Sequence, residues 1–149
     1  MDKEELLGEI EYEVENLKRL EREMNNLLAR IGDKPDLIEV RAAASILHDF
    51  YCGVEKIFEK IALSTDKNLP KGDNWHSELL LQMAKPFNTI RDAIITEESL
   101  ENLKKYLDFR HLFRHIYGFE IKWERVKGLC LNLKNTLKEI ISELEKFIK

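Results

Sequence analysis

The feature that most constrains this chain is the spacing of its apolar residues, which recur every three or four positions along two long segments. In residues 2–31 the stripe consists of Leu7, Ile10, Val14, Leu17, Leu20, Met24, Leu28 and Ile31. From Lys122 to Phe147 it consists of Val126, Leu129, Leu133, Leu137, Ile140, Ile141 and Leu144. This period is typical of α-helices that bury one face. We therefore expect two long helices packed inside a bundle, in preference to a stand-alone coiled coil.

Helix breakers are sparse, with three prolines and six glycines in 149 residues. The first helix is predicted to end at Gly32 and the second to start at Asp33-Lys-Pro35-Asp36, with a loop from Thr65 to Asn74 after it. The third helix is predicted to end near Lys85, before Pro86, with a short continuation through Ile90 and Ile94. The next helix is predicted to start at Thr96 and to end or bend at Gly118. The chain is thus predicted to be all-α, a single domain over residues 1–149 forming an up-and-down bundle of four to five helices.

Composition narrows the possible functions. A net charge of −4 argues against broad, charge-driven attachment to nucleic acid, although it leaves room for a small basic cleft. The start of the chain is acidic, and no apolar run reaches membrane-spanning length, so we expect a cytoplasmic protein with no membrane partner. Cys52 and Cys130 have no metal-ligand spacing around them and are expected to be buried apolar residues.

Residues 106–119 hold two arginines, two of the four histidines and two tyrosines. At ~100° per residue, one continuous helix would place Arg110 and Arg114 on one face, His111 and His115 on another, and Arg110 about 140° from His115. The two histidines are spaced to chelate a metal, but no third ligand is identifiable and the arginines would repel a cation. The other structural interpretation is that the Arg/His face is simply solvated or pairs with acids of a neighbouring helix.

The motif in this stretch consists of Arg110, four intervening residues, His115, one residue and Tyr117. It resembles the signature of HEPN-domain ribonucleases of the HepT toxin type. The segments 109–118, 51–62 and 75–80 resemble the HepT-like subgroup, and the likeness extends over roughly residues 36–149.

The resemblance implies a homodimer whose paired motifs form one composite cleft, and a metal-independent endoribonuclease that needs no cofactor. His115 is then the acid/base and Arg110 the phosphate clamp, since histidine titrates in the useful range and arginine offers a charged, forked set of donors. His111 and Arg114 are expected to contact the RNA substrate. The resemblance further implies the toxin of a type II toxin-antitoxin system, neutralised by an MNT-type nucleotidyltransferase that attaches AMP to Tyr117.

Two further readings stay open at the level of sequence. The chain could be a non-catalytic helical module that docks to a nucleotidyltransferase, which loss of Arg110 or His115 would favour, but both are present. Trp75 and His76 are expected to pin the preceding loop to the bundle more than to act in catalysis. His48 is expected at the surface or boundary of its helix.

Overall fold

The structure, a computed structural model, describes residues 2–149 and within them five α-helices. They are α1 (Lys3–Arg30), α2 (Leu37–Ile61), α3 (Trp75–Met83), α4 (Glu97–Phe113) and α5 (Trp123–Ile148). A π-helical turn, Ala62–Asp66, continues α2, and a 3-10 turn, Gly118–Glu120, precedes α5. The four long helices form the bundle and the short α3 packs on α2 and α4. The predicted all-α fold is confirmed. None of the described helices combines the length and apolar character needed to cross a membrane.

Successive long helices run antiparallel, as contacts between their ends show. Lys60, near the end of α2, lies 3.9 Å from the Glu9 carboxylate near the start of α1. Glu143, near the end of α5, accepts hydrogen bonds from the Thr96 backbone N–H (2.7 Å) and the Ser99 hydroxyl (2.8 Å) at the start of α4. The topology is therefore up and down, and it brings the start of α2, the end of α4 and the start of α5 to one end of the molecule.

Helix α2 is the centre of the core. Its buried apolar residues include Ile46, Phe50, Val54, Ile57, Phe58 and Ile61, the face that the sequence pattern indicates. Gly53 permits α1 to approach closely, because a Cβ built there would lie 2.7 Å from Cδ2 of Leu17. Helix α2 is thus enclosed by its neighbours. A polar side chain on its inner face is buried and needs a partner.

The starts of α2 and α4, which the sequence predicts in outline, are capped by side chains, as is the start of α1 by Asp2. Asp36 accepts from the Glu39 backbone N–H at 2.8 Å, and the Glu39 side chain accepts from the Asp36 N–H at 2.9 Å, which completes a capping box. Pro35 therefore precedes the cap and lies outside the first helical turn. Thr96 caps α4 by accepting from the Ser99 N–H.

The predicted helical continuation after Pro86 is wrong. Residues 86–95 instead form a turn in which Asn88 has a φ of 49° and Phe87 pairs with Arg91. Arg91 donates to both carboxylate oxygens of Asp66, from Nε at 2.7 Å and from Nη2 at 2.6 Å. This buried ion pair fixes the turn against the end of α2, and local helix propensity cannot compete with it.

Candidate functional site

The motif residues lie at the end of α4 and in the connection that follows it. Helix α4 ends at Phe113, so the predicted continuation to Gly118 is wrong. The His115 N–H bonds to the Leu112 carbonyl at 3.0 Å, a tighter closure than an α-helical turn, and the chain then turns away. The divergence calculated for one continuous helix therefore does not apply to Arg110 and His115.

His115 is exposed, and one of its ring nitrogens is fixed by the backbone. Its Nδ1 lies 2.6 Å from the carbonyl oxygen of His111. A carbonyl oxygen only accepts, so Nδ1 carries the proton in this contact. In the neutral ring Nε2 then holds the free lone pair, which is the form that a general base requires.

Arg110 is buried, unlike His115, with 8% of its surface exposed. Its Nη2 lies 4.0 Å from Oε1 of Glu55 on α2, too far for a hydrogen bond. Its Nε and Nη1 are enclosed and have no hydrogen-bond partner among the described residues. An enclosed donor without a partner costs about 1–3 kcal/mol, so this guanidinium is poised for an acceptor.

Side chains of α2, α3 and α4 complete the surroundings of Arg110. The Nδ1–H of His76, at the start of α3, donates to Oε2 of Glu55 at 2.7 Å. The rings of Trp75 and His76 are in contact with centroids 3.7 Å apart and planes tilted by 32°, and the His111 ring meets His76 edge-on at 6.0 Å. Arg110, His111, His76 and Glu55 thus form one cluster, which we call the Arg110 cluster.

Glu55 is the functional candidate that the sequence analysis did not single out. A signal was present, because Glu55 interrupts the apolar face formed by Tyr51, Val54 and Phe58, and a carboxylate there needs a buried partner. Its main partner, His76, lies 21 residues further along the chain. His76 was expected to pin a loop more than to act in catalysis. The sequence did not indicate that it hydrogen-bonds Glu55 in the Arg110 cluster.

The pKa values of two histidines near Arg110, His111 and His48, are lowered by their surroundings. Burial, then the neighbouring His76 and Arg110, lower the pKa of His111. Burial and then Arg110 also lower the pKa of His48, whose ring packs against Phe113 at 4.8 Å. His48 is half-buried, as predicted for a boundary residue, with Nε2 3.6 Å from Sγ of Cys52.

Arg114 and Tyr117 lie on the surface beside the cluster, with Tyr117 70% exposed. The Tyr117 ring is stacked on Phe119 with centroids 5.2 Å apart and planes within 6°. The Tyr117 N–H donates to Glu120 at 2.8 Å, and the Arg41 guanidinium lies over Gly118, where a Cβ would be 3.1 Å from its Cζ. These contacts fix the connection and leave the tyrosine hydroxyl accessible.

The six side chains therefore divide into two groups. The buried Arg110, the half-buried His76 and the exposed His111 are neighbours in the cluster, whereas Arg114, His115 and Tyr117 lie on the surface within a few residues of Arg110 and His111. A groove of about 810 Å³ lies elsewhere, between the start of α1 and the end of α5, and includes none of these residues. In residues 2–149 no group of three His, Cys, Asp or Glu side chains is arranged to hold a metal ion.

Comparison with curated proteins and with solved structures gives no match. A family model described as HepT-like protein matches residues 42–149, which takes in most of α2, the Arg110 cluster and the whole motif. Helix α1 precedes the matched region, in agreement with its undiagnostic sequence. The all-α bundle, the motif at the end of α4 and this match together show that the chain belongs to the HepT-like family of HEPN domains.

Proposed function

We propose that this protein is a metal-independent endoribonuclease that acts as the toxin of a toxin-antitoxin pair. The observation that carries the proposal is the pairing, within a HepT-like chain, of an arginine with two unsatisfied donors and a nearby histidine whose Nε2 is free. Phosphodiester cleavage uses both kinds of group. Family membership by itself supports a role related to ribonucleases, without specifying the toxin activity.

In the proposed reaction the Nε2 lone pair of His115 removes the proton from a ribose 2′-hydroxyl. The 2′-oxygen then attacks the adjacent phosphorus, the bond to the 5′-oxygen breaks, and that oxygen leaves with the proton that the protonated His115 returns. Arg110 donates to the phosphate oxygens as negative charge accumulates on them. His111, with a lowered pKa, and the exposed Arg114 contact the same backbone.

The proposed active form is a homodimer with a composite cleft. Arg110 is nine-tenths buried within its own bundle, whereas His115 and Arg114 are on the surface. A second copy placed against this end of the bundle supplies the opposite wall and a second set of exposed cations. Two-fold symmetry then brings the two motifs together, since the same surface is used by both copies.

The proposed antitoxin is an MNT-type nucleotidyltransferase, and the proposed acceptor is the Tyr117 hydroxyl. The 70% exposure of Tyr117 supports this, because an enzyme must reach the hydroxyl to modify it. An attached AMP would bring phosphate charge next to Arg114 and His115, where it competes with RNA for the same donors.

A non-catalytic docking module is the second candidate function. The observation that favours it is the stacked pair of Tyr117 and Phe119, which are 70% and 57% exposed. Exposed aromatic side chains are frequent anchors in protein interfaces. In this alternative the pair binds the nucleotidyltransferase and RNA is not cut.

Induced expression separates the two candidates. Cells that produce the wild-type chain alone are expected to arrest growth and lose RNA, and cells that produce an Arg110→Ala, His115→Ala double variant are expected to grow. The matched control is Arg125→Ala, which removes an exposed cation from α5 and leaves the motif intact. Equal growth with all three proteins, at equal soluble amounts, would reject the ribonuclease and favour the docking module.

A further inference from the structure

The carboxylate of Glu55 lies between two donor side chains, those of His76 and Arg110, and is not shared equally. Oε2 accepts the Nδ1–H of His76 at 2.7 Å, while Oε1 stays 4.0 Å from Nη2 of Arg110. Both acid and arginine are at least nine-tenths buried, so the arginine has its charge neutralised at close range without being hydrogen-bonded. Because a paired guanidinium normally bonds its carboxylate through two donors, this separation needs a cause.

His76 supplies the cause. Its ring packs against Trp75 with centroids 3.7 Å apart, and both residues belong to the first turn of α3. The His76 side chain is only 14% exposed, so the imidazole has little freedom to follow Glu55 if that side chain moves toward Arg110. The short hydrogen bond thus draws the carboxylate toward α3 and away from the guanidinium.

The donors left unbonded are those that a phosphate needs. Nε and Nη1 of Arg110 are without a partner, and a carboxylate or a phosphate oxygen would satisfy them equally well. Glu55 is the acid that the structure places against Arg110. If it closed on the guanidinium, it would take one of the two edges at which a phosphate can be bound through two donors.

We propose that Glu55 is a built-in competitor of RNA phosphate at Arg110, and that His76 is a positioning residue that holds this competitor off. The inference rests on the proposed function in one respect, namely that Arg110 binds a phosphodiester. It adds a control on that binding: the packed Trp75–His76 pair keeps the arginine available.

If the role of Glu55 were purely structural, the opposite effect of Glu55→Gln on RNA binding would be expected. If the carboxylate only stabilises the buried arginine and attaches α3, then Glu55→Gln weakens both the fold and the binding of RNA. If Glu55 competes with phosphate, the same change still lowers the melting temperature but strengthens RNA binding. The glutamine carbonyl can still accept from His76, so the packing of α3 is retained.

The experiment measures binding of a fluorescein-labelled ten-nucleotide 2′-O-methyl RNA, which lacks the attacking hydroxyl, by fluorescence anisotropy. The proteins are the wild type, Glu55→Gln, His76→Ala, the double variant and Arg110→Lys, with melting temperatures recorded for each. The matched control is Glu59→Gln, which removes the same charge one turn further along α2.

We expect Glu55→Gln to lower Kd by at least about fivefold, the scale of one charge-assisted hydrogen bond. His76→Ala is expected to raise Kd by a similar factor, because Glu55 is then free to bond Arg110. The double variant should return to the wild-type value or below it, since the competitor is no longer charged. Glu59→Gln is expected to change Kd much less.

Weaker binding by Glu55→Gln, or an equal gain from Glu59→Gln, would overturn this inference and leave the proposed function standing. If Glu55→Gln does not fold, unchanged binding by His76→Ala overturns the inference by itself. A wild type that does not bind the probe, or an Arg110→Lys variant that binds as the wild type does, would overturn the proposed role of Arg110 and this inference with it.

Discussion

At the scale of the residue, His115 is held in the tautomer that a base needs, because its Nδ1 proton is committed to the His111 carbonyl. We expect His115→Ala to slow RNA cleavage by at least ~10²-fold, the usual effect of losing an acid/base group. Arg110→Ala should act nearly as strongly, and Arg114→Ala much less. Single-turnover cleavage of a labelled RNA in EDTA measures all three. Undiminished cleavage after His115→Ala, or cleavage that needs a divalent metal, would contradict the mechanism.

Tyr117 carries the second prediction. Because its hydroxyl is accessible and close to the motif, co-expression with the cognate nucleotidyltransferase should add the mass of a nucleotide to a peptide that contains Tyr117. Tyr117→Phe keeps the ring and its stacking on Phe119 but lacks the acceptor oxygen, so it should stay toxic and escape this neutralisation. Intact-mass spectrometry tests it. Fully neutralised protein with an unmodified Tyr117 would mean that the partner acts by covering the surface.

His48 gives a prediction about pH. Burial, then Arg110 and Arg114, lower its pKa from 6.5, while Asp49 raises it. The unfolded chain therefore binds more protons than the folded chain just below neutrality, and the free energy of unfolding should fall as the pH falls from about 7.5 to 6. We expect His48→Gln to flatten this slope in urea titrations. Parallel slopes for the two proteins would show that His48 does not contribute.

The site residues differ in how far the sequence could identify them. Arg110, His115 and Tyr117 form a local motif, so their spacing alone singled them out. Glu55 and His76 could not be paired in advance, because their hydrogen bond joins residues 21 positions apart through the packing of α3 on α2. Contacts of this kind are set by the fold, and a single sequence contains no record of them.

At the scale of the element, the turn after α3 depends on one buried ion pair. The side chains of Arg91 and Asp66 are 4% and 0% exposed, and Arg91 also donates to the carbonyls of Lys85 and Asp92. Arg91→Ala leaves a buried carboxylate without its cation, so we expect a loss of about 3–5 kcal/mol in the free energy of unfolding. Urea denaturation measures it, with the exposed Arg22→Ala as the control. A loss below 1 kcal/mol would show that the pair does not hold the turn.

The helices themselves were largely predictable, since the apolar period of α1, α2 and α5 agrees with their buried faces. The two errors lie where a tertiary contact decides the backbone. The ion pair of Asp66 with Arg91 replaces a helical turn, and α4 closes at Phe113 before the connection in which Glu120 caps Tyr117. The spacing of apolar residues indicates which face of a helix is buried, but it does not indicate where these helices end.

At the scale of the whole molecule, the proposed cleft requires two copies. Light scattering at micromolar concentration should give twice the chain mass, because each motif presents only one wall with His115 and Arg114 exposed. Mixing Arg110→Ala with His115→Ala chains should restore part of the activity if each cleft draws on both subunits. A strictly monomeric protein that still cleaves RNA would rule out the composite site.

The segment that joins α4 to α5 is anchored by the buried Ile121 and by the contacts of Glu120 with Tyr117 and of Arg41 with Gly118. Most of its other residues are exposed or half-buried, so we expect its free energy of local opening to be smaller than that of the core helices. A partner that grips this segment can reshape it without disturbing the buried faces of α2 and α5. The bundle can thus remain folded throughout a cycle of inhibition and release, and protection of a few surface amides from exchange with solvent would follow that cycle.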